Sequence, residues 1–434
     1  MFQLAWPLIV AELGWEAMHV VDTMMLGRLP ESAVAIGASS IANVLFIAVA
    51  LFGGGLLFGL DTLVSHSFGA RRLPDCHRSL FAALQIIVMA SPVLMAALWG
   101  LGEWLRHSPV DPSVTGAAIP YLHALIWGMP LLLLYFGFRR YLQAMDLVKP
   151  ITWAIVTANA VNLAFNWLLI YGHLGFPRLG ITGSGWATTV ARLYMVMFLL
   201  VAILYNDRRH ATGLWRTPLR LDWERCRELL ALGIPAGTHV FLEVAVFGAA
   251  TVLAGWLGAL PLAAHQIALN TVSTTFMVPL GISAAAAVRV GQARGRGDAM
   301  GAADAGWTAL ALGGGFMACS ALTLLVMPRV IVRAFTPDQA IIETGASLLF
   351  VAAFFQLFDG LQVVATGALR GAAETRIPMF AAIVCYWLVG LPLGYYFAFP
   401  LGWGVRGLWI GLSASLIAMG SFLIVTWHRK IRHL

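Results

Sequence analysis

Four titratable side chains lie within the first hydrophobic stretch of the chain, residues 4–29. Glu12, Glu16, His19 and Asp22 are spaced so that all four fall within an arc of about 120° on a helix, while leucine and valine cover much of the rest. A charged side chain at bilayer depth costs about 2.5–3.5 kcal/mol on insertion scales, so it needs a compensating partner or use. Mutual neutralisation in a packed bundle is the alternative for Glu12 and Glu16. For Asp22 we predict a functional role.

Two more acidic residues lie in the middle of later hydrophobic stretches. Glu243 lies within HVFLEVAVF, and His239 lies one turn earlier on the same helix face. Asp359 lies within FFQLFDGLQVV, with Gln356 and Gln362 three residues away on either side. A carboxylate in a low-dielectric environment can exchange a proton or hold a desolvated Na⁺. These acids therefore indicate ion chemistry inside the membrane.

The predicted site has a coupling set and a supporting set. The carboxylates of Asp22, Glu243 and Asp359 are the predicted cation-coupling and substrate-binding groups, and together they are the candidate site for Na⁺. The predicted supporting polar residues are Glu16, His19, His239, Gln356 and Gln362. A purely structural role remains the alternative for Asp359 and for Glu243, which would then be bonded to His239.

Pro7 and Asp61 have predicted mechanical or structural roles. Pro7 lacks the N–H that would close its helical turn, so it is predicted to act as a hinge in the first helix. Asp61 lies near the end of the second hydrophobic stretch, in GLDTLVSHSFGARR. We expect its carboxylate to accept backbone N–H groups or to pair with Arg71 and Arg72.

The composition identifies the class of protein that must position these groups. Of 434 residues 60% are hydrophobic and 11% are charged, against about 25% charged in an ordinary soluble domain. A soluble fold could not bury that much apolar surface, so the sequence predicts an all-α polytopic membrane protein. Twelve spans are predicted, at residues 2–28, 34–58, 79–101, 118–138, 151–171, 184–205, 229–255, 262–288, 303–326, 341–366, 377–399 and 407–427.

The distribution of basic residues predicts the orientation of these spans. Of the 27 Lys and Arg residues, 20 lie in the loops after even-numbered spans or in the C-terminal tail, and 6 lie in the opposite loops. The positive-inside rule then puts both termini in the cytoplasm and the chain in the inner (plasma) membrane. The net charge of +7 follows from this topology, so we predict no nucleic-acid partner.

The two halves of the chain resemble each other. The LAWP motif that ends at Pro7 matches the LGIP motif that ends at Pro235, at an offset of 228 residues. Two further pairs of short motifs match at offsets of 226 and 224 residues. Each half holds six spans, so the halves should be related by an axis along the membrane normal, with a site near the midplane.

The repeat predicts three parts of the chain. Residues 1–205 form an N-terminal lobe, residues 206–228 a cytoplasmic linker, and residues 229–434 a C-terminal lobe. Two pseudo-symmetric six-helix lobes around a central cavity are the architecture of a transporter.

Several motifs resemble those of the multidrug and toxic-compound extrusion (MATE) transporters, and the resemblance covers nearly the whole chain. The opening LAWP followed by VVDTMMLGRL is similar to the family's helix 1, and NLAFNWLLIYG resembles its helix 5. AAHQIALNTVSTTFMVPLGISAAAAVRVGQARG is similar to helix 8 with its following loop, and ALRGAAETRIP resembles the loop after helix 10. The resemblance implies twelve helices in two lobes with a central cavity, and antiport of organic compounds against Na⁺ or H⁺.

The acids resemble those of one branch of this family within the wider MOP flippase superfamily. NorM-type members carry an acid on helix 7 and another on helix 10 in addition to the helix 1 aspartate. Glu243 in FLEVAVF, Asp359 in FDGLQ and Asp22 match that pattern. The resemblance therefore implies that these three acids couple ion movement to export.

The predicted function is a secondary active antiporter that exports organic cations and drugs in exchange for H⁺ or Na⁺ by alternating access. Its predicted partners are small organic cations, a monovalent coupling cation and the lipid bilayer, and no cofactor beyond that cation is expected. An enzyme is not predicted, since the sequence has no HExxH, no paired metal-binding carboxylates and no nucleophile–base motif. The alternative is a flippase or exporter of a specific metabolite or lipid-linked precursor. That function would require a cationic cavity, whereas Arg192 is the one clear cation within the spans.

Overall fold

The computed structural model describes residues 1–108, 111–218 and 220–433, and across these ranges the regular structure is helical. The α-helices are α1 (Phe2–Leu26), α2 (Ser32–Leu56), α3 (Gly59–Gly69), α4 (Leu73–Arg106), α5 (Pro112–Ile126), α6 (Gly128–Ala144), α7 (Lys149–Tyr171), α8 (Ile181–His210), α9 (Trp223–Trp256), α10 (Ala259–Gly295), α11 (Ala299–Val326), α12 (Pro328–Arg333), α13 (Gln339–Gly371), α14 (Arg376–Ala382), α15 (Leu391–Ala398) and α16 (Gly404–Lys430). The predicted all-α class is confirmed.

Eleven spans of the described chain are long and apolar enough to cross a membrane, and a bent pair of helices makes a twelfth. The bent pair is α5 and α6, which meet at an angle of 45°. Helices α2 and α3 together form the second span, and the run from α14 to α15 forms the eleventh. Helices satisfy their own backbone hydrogen bonds, which lipid cannot do, so a chain this apolar folds as spanning helices. The predicted count of twelve is confirmed.

The fourth and eleventh spans contain a bend and a π-helical segment, respectively. The bend between α5 and α6 falls at Trp127, which separates the two helices. In the eleventh span, residues Ile383–Gly390 form a π-helical segment between α14 and α15. Pro392, two residues after the segment, has no N–H to donate to the carbonyl of Leu388, so the regular α-helical bond is absent there.

The chain forms two compact units. One consists of Met1–Glu12 and Thr238–Leu434, and the other of Leu13–Gly237. The unit boundaries fall inside α1 and α9, shortly after Pro7 and Pro235. The predicted lobes 1–205 and 229–434 follow the sequence repeat and stay a prediction.

Glycines bring α2 and α9 into backbone contact within the Leu13–Gly237 unit. The Cα of Gly237 lies where a Cβ on Gly55 would stand, and the carbonyl of Leu56 lies where a Cβ on Gly233 would stand. Only residues without a side chain allow two helices to approach this closely. The glycines therefore determine how tightly these two helices pack.

Hydrogen bonds attach the predicted linker, residues 206–228, to α4. Helix α8 continues to His210, and α9 begins at Trp223. Between them, the carbonyl of Thr212 lies 3.0 Å from Nε2 of buried His77, and the guanidinium of Arg78 donates to Asp222 at 2.7 Å. The segment between the two helices is thus held by specific side chains.

Candidate cation-coupling clusters

Asp22 lies at the centre of a polar cluster that joins three helices of the Leu13–Gly237 unit. Its side chain, on α1, is only 5% exposed. Asn166 on α7 donates to Oδ1 of Asp22 at 2.5 Å, and the hydroxyl of Thr188 on α8 lies 3.2 Å from Oδ2. Nδ2 of Asn166 also donates to Oδ1 of Asn162 at 3.0 Å. We call these four residues the Asp22 cluster.

The helix period explains why these partners face Asp22. Asn162 and Asn166 are four residues apart, so they lie on one face of α7, and both are fully buried. Thr188 also lies 3.0 Å from the carbonyl of Ser184, so its single proton is shared between two acceptors. Each donor is therefore placed by the regular geometry of its own helix.

The Asp22 cluster has unused hydrogen-bonding capacity. Nδ2 of Asn162 and Oδ1 of Asn166 are buried and have no hydrogen-bond partner among the described residues. Buried polar atoms are normally paired, and an unpaired one requires an explanation such as a water molecule or an ion. The side chains of Asp22, Asn162, Asn166 and Thr188 all carry oxygen atoms, which are the ligands that hard cations prefer.

Glu243 and Asp359 lie together in the Thr238–Leu434 part of the other unit. Glu243 on α9 is 8% exposed and Asp359 on α13 is 3% exposed. Nε2 of Gln362, one turn after Asp359, donates a hydrogen bond to Oε1 of Glu243. Tyr386, from the π-helical segment, is buried within electrostatic range of both acids, and its hydroxyl has no partner in the described part of the chain. We call these four residues the Glu243–Asp359 cluster.

The other predicted supporting residues lie in three different environments. His239 is 1% exposed, and neither ring nitrogen has a hydrogen-bond partner in the described ranges, so Glu243 bonds Gln362 and not His239. Gln356 donates instead to hydroxyls on neighbouring helices, Thr275 of α10 at 2.6 Å and Ser320 of α11 at 3.1 Å.

Glu16 and His19 remain partly exposed on α1, next to an aromatic group. His19 packs edge-on against Trp15, with ring centroids 6.0 Å apart, and Trp15 stacks on buried Tyr135 at 5.9 Å. This arrangement gives the partly exposed face of α1 both titratable and aromatic groups.

Asp61 pairs with a different arginine from the two that were expected. It is buried, and Arg140 on α6 donates to it at 2.6 Å, in place of the expected Arg71 or Arg72. Arg140 also lies over the ring of Phe58, 3.9 Å from its centroid. A buried carboxylate is best stabilised by a guanidinium that is itself held in place by packing, and Arg140 on α6 meets this requirement.

Asn162, Asn166, Thr188 and Tyr386 of these clusters were not predicted from the sequence. The available signal was the spacing of Asn162 and Asn166, two amides four residues apart in an apolar span. Thr188 and Tyr386 carry no comparable signal, since threonine and tyrosine are common in membrane helices.

Comparison with known proteins identifies the family. The MatE family model matches the chain twice, at residues 7–168 and 235–396. Both matches begin and end 228 residues apart, which is the offset of the LAWP and LGIP motifs and confirms the internal repeat.

Relatives and solved structures agree with this match. The probable multidrug resistance protein NorM of Mesorhizobium japonicum is 37% identical over 99% of this chain and 93% of its own length. The protein of the same name from Burkholderia mallei is 38% identical over 99% of this chain and 92% of its own. The crystal structure of the eukaryotic MATE transporter AtDTX14 shares the fold with a TM-score of 0.88 at 22% identity, covering 100% of this chain and 96% of that one. The chain therefore belongs to the MatE family, as its motifs predicted.

Proposed function

We propose that the protein is a multidrug efflux antiporter that exports organic cations and related drug-like compounds in exchange for H⁺ or Na⁺ by alternating access. The observation that carries this proposal is the pair of buried acidic clusters within spanning helices of a chain whose relatives are named multidrug resistance proteins. As a member of a transporter family, the chain is not an enzyme. It needs no cofactor other than its coupling cation.

The Asp22 cluster suits a group whose charge must change during a cycle. Neutral donors, Asn166 and Thr188, hold the carboxylate without supplying a counter-charge by direct contact. A proton or Na⁺ can therefore bind Asp22 without displacing a salt-bridged partner, and the ionised form can attract a cationic substrate in a low-dielectric environment. The cationic substrate and the coupling cation both bind the carboxylate of Asp22. Binding of one therefore opposes binding of the other, which is the basis of exchange.

The Glu243–Asp359 cluster suits a cation site of higher charge. Two neighbouring carboxylates cannot both remain ionised in a buried site unless a cation lies between them or one is protonated. Gln362 and the Tyr386 hydroxyl add neutral oxygens to the two acids. We therefore expect at least one of the two carboxylates to bind a proton or Na⁺ throughout the transport cycle.

The number of spans and the distribution of basic residues support a proposed location for the protein. A chain with twelve spans and 20 of its 27 basic residues on one side is expected in the inner (plasma) membrane with both termini in the cytoplasm. Substrates would be taken up from the cytoplasm or the inner leaflet and released outside.

Transport in proteoliposomes tests the proposal. Efflux of a fluorescent organic cation is measured with an imposed Na⁺ gradient and, separately, with an imposed pH gradient. We expect one gradient to drive efflux in the wild type and Asp22→Asn to reduce the driven rate by about tenfold or more, since the isostere keeps the shape and one acceptor oxygen of the side chain but loses its charge. The exposed Asp304→Asn on α11 is the control and should transport normally.

Two results would contradict the proposal. Undiminished coupled efflux by Asp22→Asn would remove Asp22 from the mechanism. Absence of organic-cation transport by the wild type under either gradient would favour the flippase or specific-exporter alternative.

A further inference from the structure

Arg192 on α8 is a buried guanidinium that forms no ion pair with an acidic side chain of the described ranges. The residue is 3% exposed, and its guanidinium lies over the ring of Phe46 on α2, 4.4 Å from the centroid. Its Nε and Nη1 atoms have no hydrogen-bond partner among the residues that the structure describes. Burying a charge in this way is costly unless another group compensates it.

The groups that act electrostatically on Arg192 come from two neighbouring helices. Helix α1 contributes Asp22 and His19, and α5 contributes Tyr121, whose hydroxyl is hydrogen-bonded to Asn43. Asp22 is the acid in this set, yet its two oxygens are taken by Asn166 and Thr188. Arg192 and Asp22 therefore interact through space and not by an ion pair.

This arrangement determines the charge of the Asp22 cluster and its surroundings. Arginine stays protonated in proteins, so Arg192 contributes one permanent positive charge. With Asp22 ionised, the two charges cancel and the buried region is neutral. Adding a proton or Na⁺ to Asp22 leaves the region with a net positive charge, which a low-dielectric environment penalises strongly.

We propose that Arg192 is an affinity-determining residue of the Asp22 cluster, whose permanent charge weakens the binding of the coupling cation. The inference rests on the proposed coupling role of Asp22. Weakened binding has a use in an exchanger, because a cation held too tightly would not leave on the other side of the membrane. The Phe46 ring stabilises the guanidinium by a cation–π contact, while the neutral donors Asn166 and Thr188 hold the carboxylate of Asp22.

Cation binding to the purified full-length protein in detergent tests the proposal. Affinity for ²²Na⁺ is measured by scintillation proximity, and the proton concentration that gives half-maximal efflux is measured in sodium-free proteoliposomes. We expect Arg192→Gln and Arg192→Met to bind the coupling cation on the order of tenfold more tightly than wild type. Arg208→Gln removes the same charge from the exposed end of α8 and should leave the affinity unchanged.

The conservative variant and a double variant separate charge from structure. Arg192→Lys keeps the charge and should bind the cation as wild type does. Asp22→Asn combined with Arg192→Gln should lose the gained affinity. A structural role for Arg192 predicts weaker binding or misfolding in the neutral variants, not tighter binding.

The outcomes distinguish this inference from the proposed function. Unchanged or weakened cation binding in folded Arg192→Gln or Arg192→Met would overturn it, and so would a tenfold gain in Arg192→Lys. If the neutral variants do not fold, Arg192→Lys decides: wild-type affinity supports the inference, and a tenfold gain overturns it. If Asp22→Asn binds the cation as tightly as the wild type does, the proposed coupling role of Asp22 is wrong, and the inference about Arg192 is wrong with it.

Discussion

At the scale of single residues, the acids of the Leu13–Gly237 unit differ in the charge of the groups that hold them. Asp22 is held by the amide of Asn166 and the hydroxyl of Thr188. Asp61 and Asp222, in contrast, accept hydrogen bonds from the guanidinium groups of Arg140 and Arg78. A guanidinium neutralises its carboxylate permanently, whereas neutral donors leave the charge available. Under the proposed function, the kind of donor would separate the acid that exchanges a cation, Asp22, from acids that fix structure.

The Asp222 contact leads to a prediction about stability. The backbone N–H of Arg225 donates to Oδ1 of Asp222 at 3.0 Å and the side chain of Arg78 to Oδ2 at 2.7 Å, and both lower the pKa of Asp222. We expect Asp222→Asn to lower the free energy of unfolding at pH 7 by about 0.5–1 kcal/mol, the range for a partly exposed pair. Thermal unfolding in detergent, followed by tryptophan fluorescence, measures the loss.

The pH dependence of this effect has a definite sign. A carboxyl whose pKa is lowered by folding stabilises the native state above its unfolded pKa of about 3.9, and that stabilisation disappears as the pH falls through the folded value. The difference between wild type and Asp222→Asn should therefore be constant from pH 7 to pH 5 and shrink below about pH 4. Asp304→Asn, on the exposed face of α11, should match wild type throughout. A difference that grows toward acid would contradict the assignment.

The acids of both clusters could be predicted from the sequence, but most of their partners could not. A carboxylate within an apolar stretch is costly, so Asp22, Glu243 and Asp359 are conspicuous without any structure. Asn166 and Thr188 are uncharged and lie more than 140 positions after Asp22, so nothing local connects them to it. Likewise, His239 was the partner expected for Glu243 in a structural role because both lie on one helix face, but Glu243 accepts its hydrogen bond from Gln362 on α13.

At the scale of helices, length and hydropathy were sufficient for the number of spans but not for their internal form. Twelve apolar stretches give twelve spans because lipid admits few other structures. The bend at Trp127 and the π-helical segment Ile383–Gly390 depend on packing and on local backbone bonding, which hydropathy does not encode. The π-helical segment matters for the site because it carries Tyr386 to the Glu243–Asp359 cluster.

The contact between α2 and α9 gives a prediction at this scale. A Cβ at position 55 would collide with the backbone of Gly237, which cannot move aside as a flexible side chain can. We expect Gly55→Ala to destabilise the protein by about 1–3 kcal/mol, the usual cost of overpacking. The measurement is the thermal midpoint in detergent.

A second glycine in a helix provides the matched control. Gly100 lies within α4, and a Cβ there would meet nothing within 4 Å. Gly100→Ala should be neutral or stabilising by up to about 1 kcal/mol, because alanine favours helix. Equal stability of Gly55→Ala and Gly100→Ala would show that the α2–α9 contact is not tight.

At the scale of the whole molecule, the chain repeats its fold but not its chemistry. The two MatE matches are offset by 228 residues, so Asp22 corresponds to Ala250 and Glu243 to Trp15. The acids of the two clusters therefore occupy non-equivalent positions of the repeat. Duplication supplied two similar helical scaffolds, and each acquired its own arrangement of charge, with Arg192 near one acid and a second carboxylate near the other.

The orientation of the whole chain gives the last prediction. With 20 of 27 basic residues on one side of twelve spans, the C-terminus should face the cytoplasm. Green fluorescent protein fluoresces only when it folds in the cytoplasm, and alkaline phosphatase is active only after export. A fluorescent-protein fusion at the C-terminus should therefore be bright, and a phosphatase fusion there inactive. Truncation after Gly402, between α15 and α16, removes one span and should reverse both signals. Active phosphatase on the full-length chain would mean that the basic loops face outward, and the direction of transport inferred from them would have to be inverted.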